Sequence, residues 1–164
     1  MRAMILAAGR GNRLRPLTDG CPKPLIKVGG KPLLLHHLES LKRAGFQEVV
    51  INVSHLAEQI VQTIGDGSDL GLRILYSFEE QALETGGGVQ KALPLLGDHP
   101  FLLISGDIFT DFPLDKLALP RDKWAHLVLV PNPPYHPEGD FALEGDRVTR
   151  KNPTAHNWTY GNIA

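Results

Sequence analysis

The sequence predicts an α/β protein, a Rossmann-like three-layer sandwich with a mostly parallel central sheet. Three observations carry this. Short apolar runs recur at residues 2–7, 48–53, 72–77, 101–107 and 125–131; the segments between the first four place their apolar residues at helical spacing; and glycines punctuate the ends. Strands alternating with helices in this way need crossover connections, which are right-handed and give a parallel sheet.

Residues 2–7 ("RAMILA") read as a buried strand, because a short continuous apolar run halted by glycine suits a sheet covered on both faces. In "PLLLHHLESLKRAGF", Leu34, Leu38, Leu41 and Ala44 form a helical stripe closed by Gly45. Residues 48–53 ("EVVINV") give a second strand. "HLAEQIVQTIGDG" gives a second helix, with Leu56, Ile60, Val61 and Ile64 on one face and Gly65 as its stop. Residues 72–77 ("LRILYS") form a third strand, and "GGGVQKALPLL" a helix beginning near Gly88. Residues 101–107 ("FLLISGD") form an apolar strand ending in an acid. Residues 125–131 ("AHLVLVP") form another, followed by a polar, proline-rich hairpin-like region. No internal repeat interrupts the order, and one domain spanning 1–164 is expected. The closing "TYGNIA" reads as the opening of a strand, so a domain incomplete at its C-terminus is expected.

With 164 residues the chain is long enough to bury a core, and 42% hydrophobic against 21% charged residues describe a globular protein rather than a disordered one. Basic and acidic residues number 17 and 18, so no bulk field favours nucleic acid or anionic lipid, and any anion must be bound by a local cluster. A single cysteine, Cys21, excludes an internal disulfide and fits a reducing compartment. No signal peptide and no apolar run of about 18 residues is present. A cytoplasmic protein without nucleic-acid or membrane partners is expected; the oligomeric state is not legible.

The first strand runs into "LAAGRGNRLRPLTDGCPKPLI", a glycine-rich cationic loop at a strand's carboxyl end, where open parallel sheets bind ligands. Gly9 and Gly11 let backbone N–H groups approach an anion, while Arg10, Arg13, Arg15 and Lys23 supply charge. A solvated surface loop is the plain alternative. Pro22 and Pro24 restrict the backbone on both sides of Lys23, however, and would aim it in a fixed direction, a support that a solvated lysine does not need. The loop is not a dinucleotide fingerprint, because Leu14 stands where the third glycine is required and the second strand ends in Asn52-Val53-Ser54 rather than an acid. It is not a P-loop either, since no Gly-Lys-Ser/Thr follows.

Two further stretches lie at strand ends. "ETGGG" (Glu84, Thr85, Gly86, Gly87, Gly88) could form a flat backbone surface against a base, or simply a flexible lead into a helix. In "SGDIFTD", Asp107 follows an apolar strand, poised to hold a cation, though an acid there can equally cap a helix or turn; Asp111 could do no more than start the next helix. The seven histidines show no metal spacing, His36 and His37 reading as packing or surface residues, and Cys21 has no base nearby.

"LAAGRGNRLRPLTDGCPKPLIKVGGKPLL", with the pattern G-x-G-x-R-x-x-P-x-T…P-K-P-L, resembles the signature of sugar-phosphate nucleotidyltransferases, enzymes of the nucleotide-diphospho-sugar transferase fold. The resemblance extends through "LETGGGVQKALPLL" and "LLISGDIFTDF" and so covers most of the chain. Within the family it points to bacterial N-acetylmuramate 1-phosphate uridylyltransferases, and through them to peptidoglycan recycling, with hexose and heptose 1-phosphate members next.

The resemblance implies attack of a sugar 1-phosphate oxygen on the α-phosphorus of a nucleoside triphosphate, UTP in that branch, with release of pyrophosphate. It implies that Arg13 holds the β- and γ-phosphates and that Lys23 serves the α-phosphate and incoming sugar phosphate. Asp107 would bind Mg²⁺ as the metal acid, so Arg13, Lys23 and Asp107 form the catalytic set. Gly9 and Gly11 would make backbone contacts, and Leu6, Ala7 and Ala8 would face the base with Glu84, Thr85, Gly86 and Gly87. A second metal acid usual in the family has no match within 1–164. By position, Gly139, Asp140 and the stretch 160–162 with Asn162 are sugar-binding candidates. Guanylyl or thymidylyl transfer to a hexose or heptose 1-phosphate is one alternative. A non-catalytic nucleotide-sugar-binding regulatory protein is another, disfavoured because Lys23 and Asp107 are both present.

Overall fold

In the computed structural model, which describes residues 1–164, four apolar strands form a fully parallel sheet. They are β1 (Arg2–Leu6), β4 (Glu48–Val53), β5 (Arg73–Phe78) and β6 (Phe101–Ser105), in the order β5-β4-β1-β6. A two-stranded ribbon, β2 (Lys27–Val28) and β3 (Lys31–Pro32), precedes helix α1 (Leu33–Arg43); α2 (Ala57–Ile64) joins β4 to β5, and α3 (Glu84–Leu96) joins β5 to β6. The path runs outward from β1 to β5 and then returns across β1 to β6. With right-handed crossovers, that reversal puts α1 and α2 on one face of the sheet and α3 on the other.

Side-chain parity agrees. Met4 and Val50 are buried with Ala92 and Leu96 of α3, and Leu6, Leu75, Leu103 and Phe101 pack around them. The opposite parity, Ala3, Ile5, Val49, Ile51, Leu102 and Ile104, is also buried, as are Leu34, Leu38 and Leu41 of α1 and Ile60 of α2. A parallel sheet covered on both faces explains why its strands read as continuous apolar runs. Each fully buried Leu or Ile contributes about 1.5–3 kcal/mol relative to exposure.

The chain divides into two compact units, Met1–Leu117 and Ala118–Ala164. The second unit holds an antiparallel sheet of order β7-β10-β8-β9, from β7 (Leu129–Val130), β8 (Phe141–Glu144), β9 (Arg147–Arg150) and β10 (Asn157–Tyr160). The strand expected over 125–131 is confined to Leu129–Val130; Pro131, which cannot donate a ladder hydrogen bond, marks its end, whereas residues 125–128 lie outside it. The closing segment, expected to open a strand, instead ends one: β10 stops at Tyr160, after which the Gly161 N–H donates to the Val128 carbonyl and Val128 N–H to the Ile163 carbonyl. Helix α3 begins at Glu84, earlier than Gly88. The three glycines lie within its first two turns rather than in a loop, against their poor helix propensity, and a close tertiary approach described below requires glycine at position 88. No helix is long and apolar enough to cross a membrane.

Candidate active site

The point where the strand order reverses lies between β1 and β6, and their carboxyl ends open the crevice in which such sheets bind ligands. Gly106 brings those ends together. Its N–H donates to the Leu6 carbonyl at 2.9 Å, and a Cβ there would stand 2.8 Å from that same oxygen. Only glycine lets β6 end this close to β1, and the next residue, Asp107, is thereby placed beside the loop that follows β1.

That loop is built on Gly11, whose φ of 65° is costly for any residue with a Cβ and whose Cβ would meet Thr18 Cγ2 at 2.9 Å and Lys23 Cβ at 3.3 Å. Thr18, buried, donates its hydroxyl to the Gly11 carbonyl at 2.9 Å and pins the loop. Gly9 is different: nothing lies within 4 Å of where its Cβ would be, so the fold does not require glycine there. Arg10 and Arg13 project into solvent without an ion pair, while Arg15 pairs with Asp19 at 3.3 Å on the surface.

Lys23 opens a short 3₁₀ turn over Lys23–Leu25, with Pro22, Pro24 and Leu25 buried around it. The proline support expected from the sequence is therefore real: the backbone is anchored and only the amine reaches out. Lys23 Nζ donates to Asp107 Oδ2 at 2.6 Å, joining the loop lysine to the strand-end acid across 84 residues of sequence. With 25% and 44% of the two side chains exposed, the pair contributes about 0–1 kcal/mol. A phosphate or a cation can therefore replace either partner at small cost.

Asp107 fits a divalent cation of the hard, oxygen-seeking kind. No three His, Cys, Asp or Glu side chains converge to make a cage. Mg²⁺ is commonly held by one or two carboxylates with substrate phosphates and water supplying the rest, and one exposed carboxylate beside a glycine-rich cationic loop fits that pattern. Asp111 is set apart, lining a cleft of about 430 Å³ with His36, Ser40, Arg43, Phe109 and Asp115. His36 stacks edge-on against Phe109, and His37 is buried in α1. Burial pulls His37 below the ordinary histidine range against an opposing hydrogen bond with the Ile108 backbone, and its Nε2 has no partner.

Leu6 ends β1, and Ala7 and Ala8, both buried, continue from it. Glu84, Thr85 and Gly86 are exposed at the start of α3, and Glu84 adopts a φ of 59° despite its side chain. Two residues the sequence did not flag tie these segments together: Asn52, at the end of β4, and Glu79, just after β5, both buried and hydrogen-bonded to each other. A polar residue in an otherwise apolar strand was the one available signal.

The sugar-side candidates lie in the second unit. Gly139 (φ 61°) is a packing glycine, its Cβ position only 2.7 Å from Asn132 Oδ1 and 2.9 Å from the Asn157 backbone carbon. Asp140 accepts from the Tyr160 N–H at 2.8 Å and pairs with His136 Nε2 at 3.0 Å; the Tyr160 amide above all holds its carboxyl below the usual range. Asn162 is exposed with φ 60°.

Comparison with known proteins gives one consistent grouping. The nucleotidyl transferase family matches residues 2–141. The chain is 53% identical over 156 residues to the N-acetylmuramate alpha-1-phosphate uridylyltransferase of Neisseria meningitidis, covering 92% of this chain and 68% of that protein. It is 39% identical to a UTP--glucose-1-phosphate uridylyltransferase of Synechocystis, covering 79% of this chain and 37% of the relative. Among solved structures, one from Bacillus anthracis, assigned as a glucose-1-phosphate thymidylyltransferase and crystallised with a sucrose, superimposes with TM-score 0.80 at 21% identity. It covers 99% of this chain and 70% of its own, and shares the fold. HddC from Yersinia pseudotuberculosis complexed with GMP-PN matches with TM-score 0.61 at 29% identity, over 70% of this chain and 50% of that one. A match across both units, agreeing with the lysine and acid that the fold brings into contact, decides the grouping: this chain belongs to the nucleotidyl transferase family, among its sugar-phosphate members.

Proposed function

We propose that the protein transfers UMP from UTP to N-acetylmuramate 1-phosphate, giving UDP-N-acetylmuramate and pyrophosphate, in the cytoplasm and with Mg²⁺. The observation that carries the reading is the contact of Lys23 with Asp107 at the reversal point of the sheet. A backbone-anchored cation and a carboxylate at the mouth of that crevice support a site for a triphosphate. The choice of base and sugar is supported by the 53% identity to the Neisseria enzyme.

The nucleophile is already an anion, so the reaction needs no general base. A sugar-phosphate oxygen forms a bond to the α-phosphorus, and the α–β bridging bond breaks with its electron pair leaving on pyrophosphate. What the protein must supply is orientation and charge. Lys23 exchanges Asp107 for the α-phosphate, Arg13 and Arg10 swing from solvent onto the β- and γ-phosphates, and Gly9 offers backbone with nothing above it. Asp107, released from Lys23, would be the residue to hold Mg²⁺, which would supply positive charge against the phosphates. Both uridylyl- and guanylyltransferases occur among the relatives, so the base is tested directly.

The experiment is a panel of UTP, dTTP, GTP and CTP against N-acetylmuramate, glucose and heptose 1-phosphates, with pyrophosphate release as readout. UTP with N-acetylmuramate 1-phosphate should win. Lys23→Ala should lower turnover by roughly 10² or more with little change in folding, and Asp107→Asn should flatten the Mg²⁺ response. Preference for another pair, or a normal rate in Lys23→Ala at saturating substrate, refutes the assignment.

A further inference from the structure

Behind the loop and the first turn of α3 runs a chain of buried hydrogen bonds that the chemistry above does not use. The Ala7 N–H donates to Asn52 Oδ1 at 2.7 Å. Asn52 Nδ2 donates to Glu79 Oε1 at 2.8 Å, and the Leu83 N–H donates to Glu79 Oε2 at 2.9 Å. Asn52 and Glu79 are 3% and 5% exposed. The first turn of α3 sits directly on them: a Cβ at Gly88 would stand 2.7 Å from Asn52 Nδ2 and 2.9 Å from Glu79 Oε1.

The polarity of this chain is forced. A backbone N–H can only donate, so Asn52 must turn its oxygen to Ala7 and its amide nitrogen to Glu79, whose oxygens accept. Aspartate at position 52 would set carboxylate against carboxylate, and an aliphatic residue would strand buried partners on both sides. The bridge thus fixes the separation between segment 6–11 after β1 and segment 83–88 at the start of α3.

We propose that Asn52 and Glu79 are positioning residues that hold those two segments as the preformed slot for the nucleoside, leaving the triphosphate contacts to the glycine loop. This rests on the nucleotide-binding reading above. Neither residue touches the reacting atoms. Each acts through the backbone it holds.

The test uses calorimetric titration with UTP and, separately, with inorganic tripolyphosphate, which carries the phosphates without a nucleoside. Asn52→Asp should weaken UTP by about tenfold or more while leaving tripolyphosphate nearly unchanged. Adding Glu79→Gln to it restores a donor facing an acceptor at every link, and UTP affinity should return close to wild type. Glu79→Gln alone loses only one link and gives the same selective loss, smaller in size, if Asn52→Asp proves too unstable to measure. Unchanged UTP binding in the single variants, equal weakening of both ligands, or no recovery in the double variant overturns the proposal. Wild-type protein that binds tripolyphosphate but not UTP would instead overturn the nucleotide reading, and this inference with it.

Discussion

Gly9 and Gly11 stand two residues apart in one loop and make opposite predictions when each is replaced by alanine. At Gly11 the backbone is left-handed (φ 65°), which costs an alanine about 1–2 kcal/mol. The new methyl would also meet Thr18 Cγ2 at 2.9 Å and Lys23 Cβ at 3.3 Å, adding an overpacking penalty of about 1–3 kcal/mol. Stiffening the unfolded chain returns about 0.4–1 kcal/mol. Gly11→Ala should therefore lose about 1–5 kcal/mol, a fall in Tm of roughly 2–18 °C for a chain of this size. At Gly9 the φ is not left-handed and no atom lies within 4 Å of the new methyl. Gly9→Ala should be as stable as wild type or slightly more so, yet bind UTP about tenfold more weakly or worse, because the methyl occupies the space through which a phosphate reaches the backbone. Thermal unfolding and UTP calorimetry on the same samples separate the two effects. A stable Gly9→Ala protein with wild-type UTP affinity refutes the phosphate-cradle role of that glycine; a Gly11→Ala protein with unchanged Tm refutes the steric argument.

Glu84 holds a left-handed φ of 59° at the start of α3, so Glu84→Gly should relieve backbone strain and, after glycine's own entropic cost, raise stability by about 0.5–1 kcal/mol, read as a Tm increase of a few degrees. A lower Tm would show that the glutamate side chain stabilises more than its backbone costs. Burial holds His37 below the ordinary histidine value in the folded state, so between that lowered value and about pH 6.5 the unfolded chain binds the extra proton. Its contribution is complete above that window and is lost as pH falls through it. Denaturant midpoints should therefore drop between pH 7.5 and 5.5 in wild type and drop less in His37→Gln; equal slopes would exclude His37 as the source.

How much of this was legible in the sequence depended on whether a signal was local. The strand over 48–53 was read at its true bounds, because an apolar run between turn residues has one sensible reading. The start of α3 was missed by four residues, because glycine propensity argues for loop; that Gly88 is glycine for its close seat on Asn52 and Glu79, not for flexibility, shows only in the folded structure. The strand near 125–131 ends where a local signal says, at Pro131, but its expected first residues, 125–128, are not in the strand, and their apolar run gave no sign of that. The family signature was legible as a pattern, and the Lys23–Asp107 contact confirms that its two ends meet, but no spacing rule predicts a contact across 84 residues.

The same distinction separates residues with a ligand in reserve from residues committed to the fold. Lys23 and Asp107 neutralise each other in a weak, exposed pair that a phosphate and a cation can divide between them. Asn52 and Glu79 are fully engaged and buried, so removing either damages a scaffold and alters binding only through it. Asp140 belongs with the second group: one oxygen holds the Tyr160 amide of β10 and the other holds His136, so any sugar contact it makes must use the remaining lone pairs without disturbing the turn it anchors. A site read from sequence mixes the two kinds, because both are polar residues at strand ends. Hydrogen bonding sorts them: Lys23 and Asp107 hold only each other in an exposed pair, whereas the Asn52 amide and the Glu79 carboxylate are buried and bonded to the backbone of the segments they join.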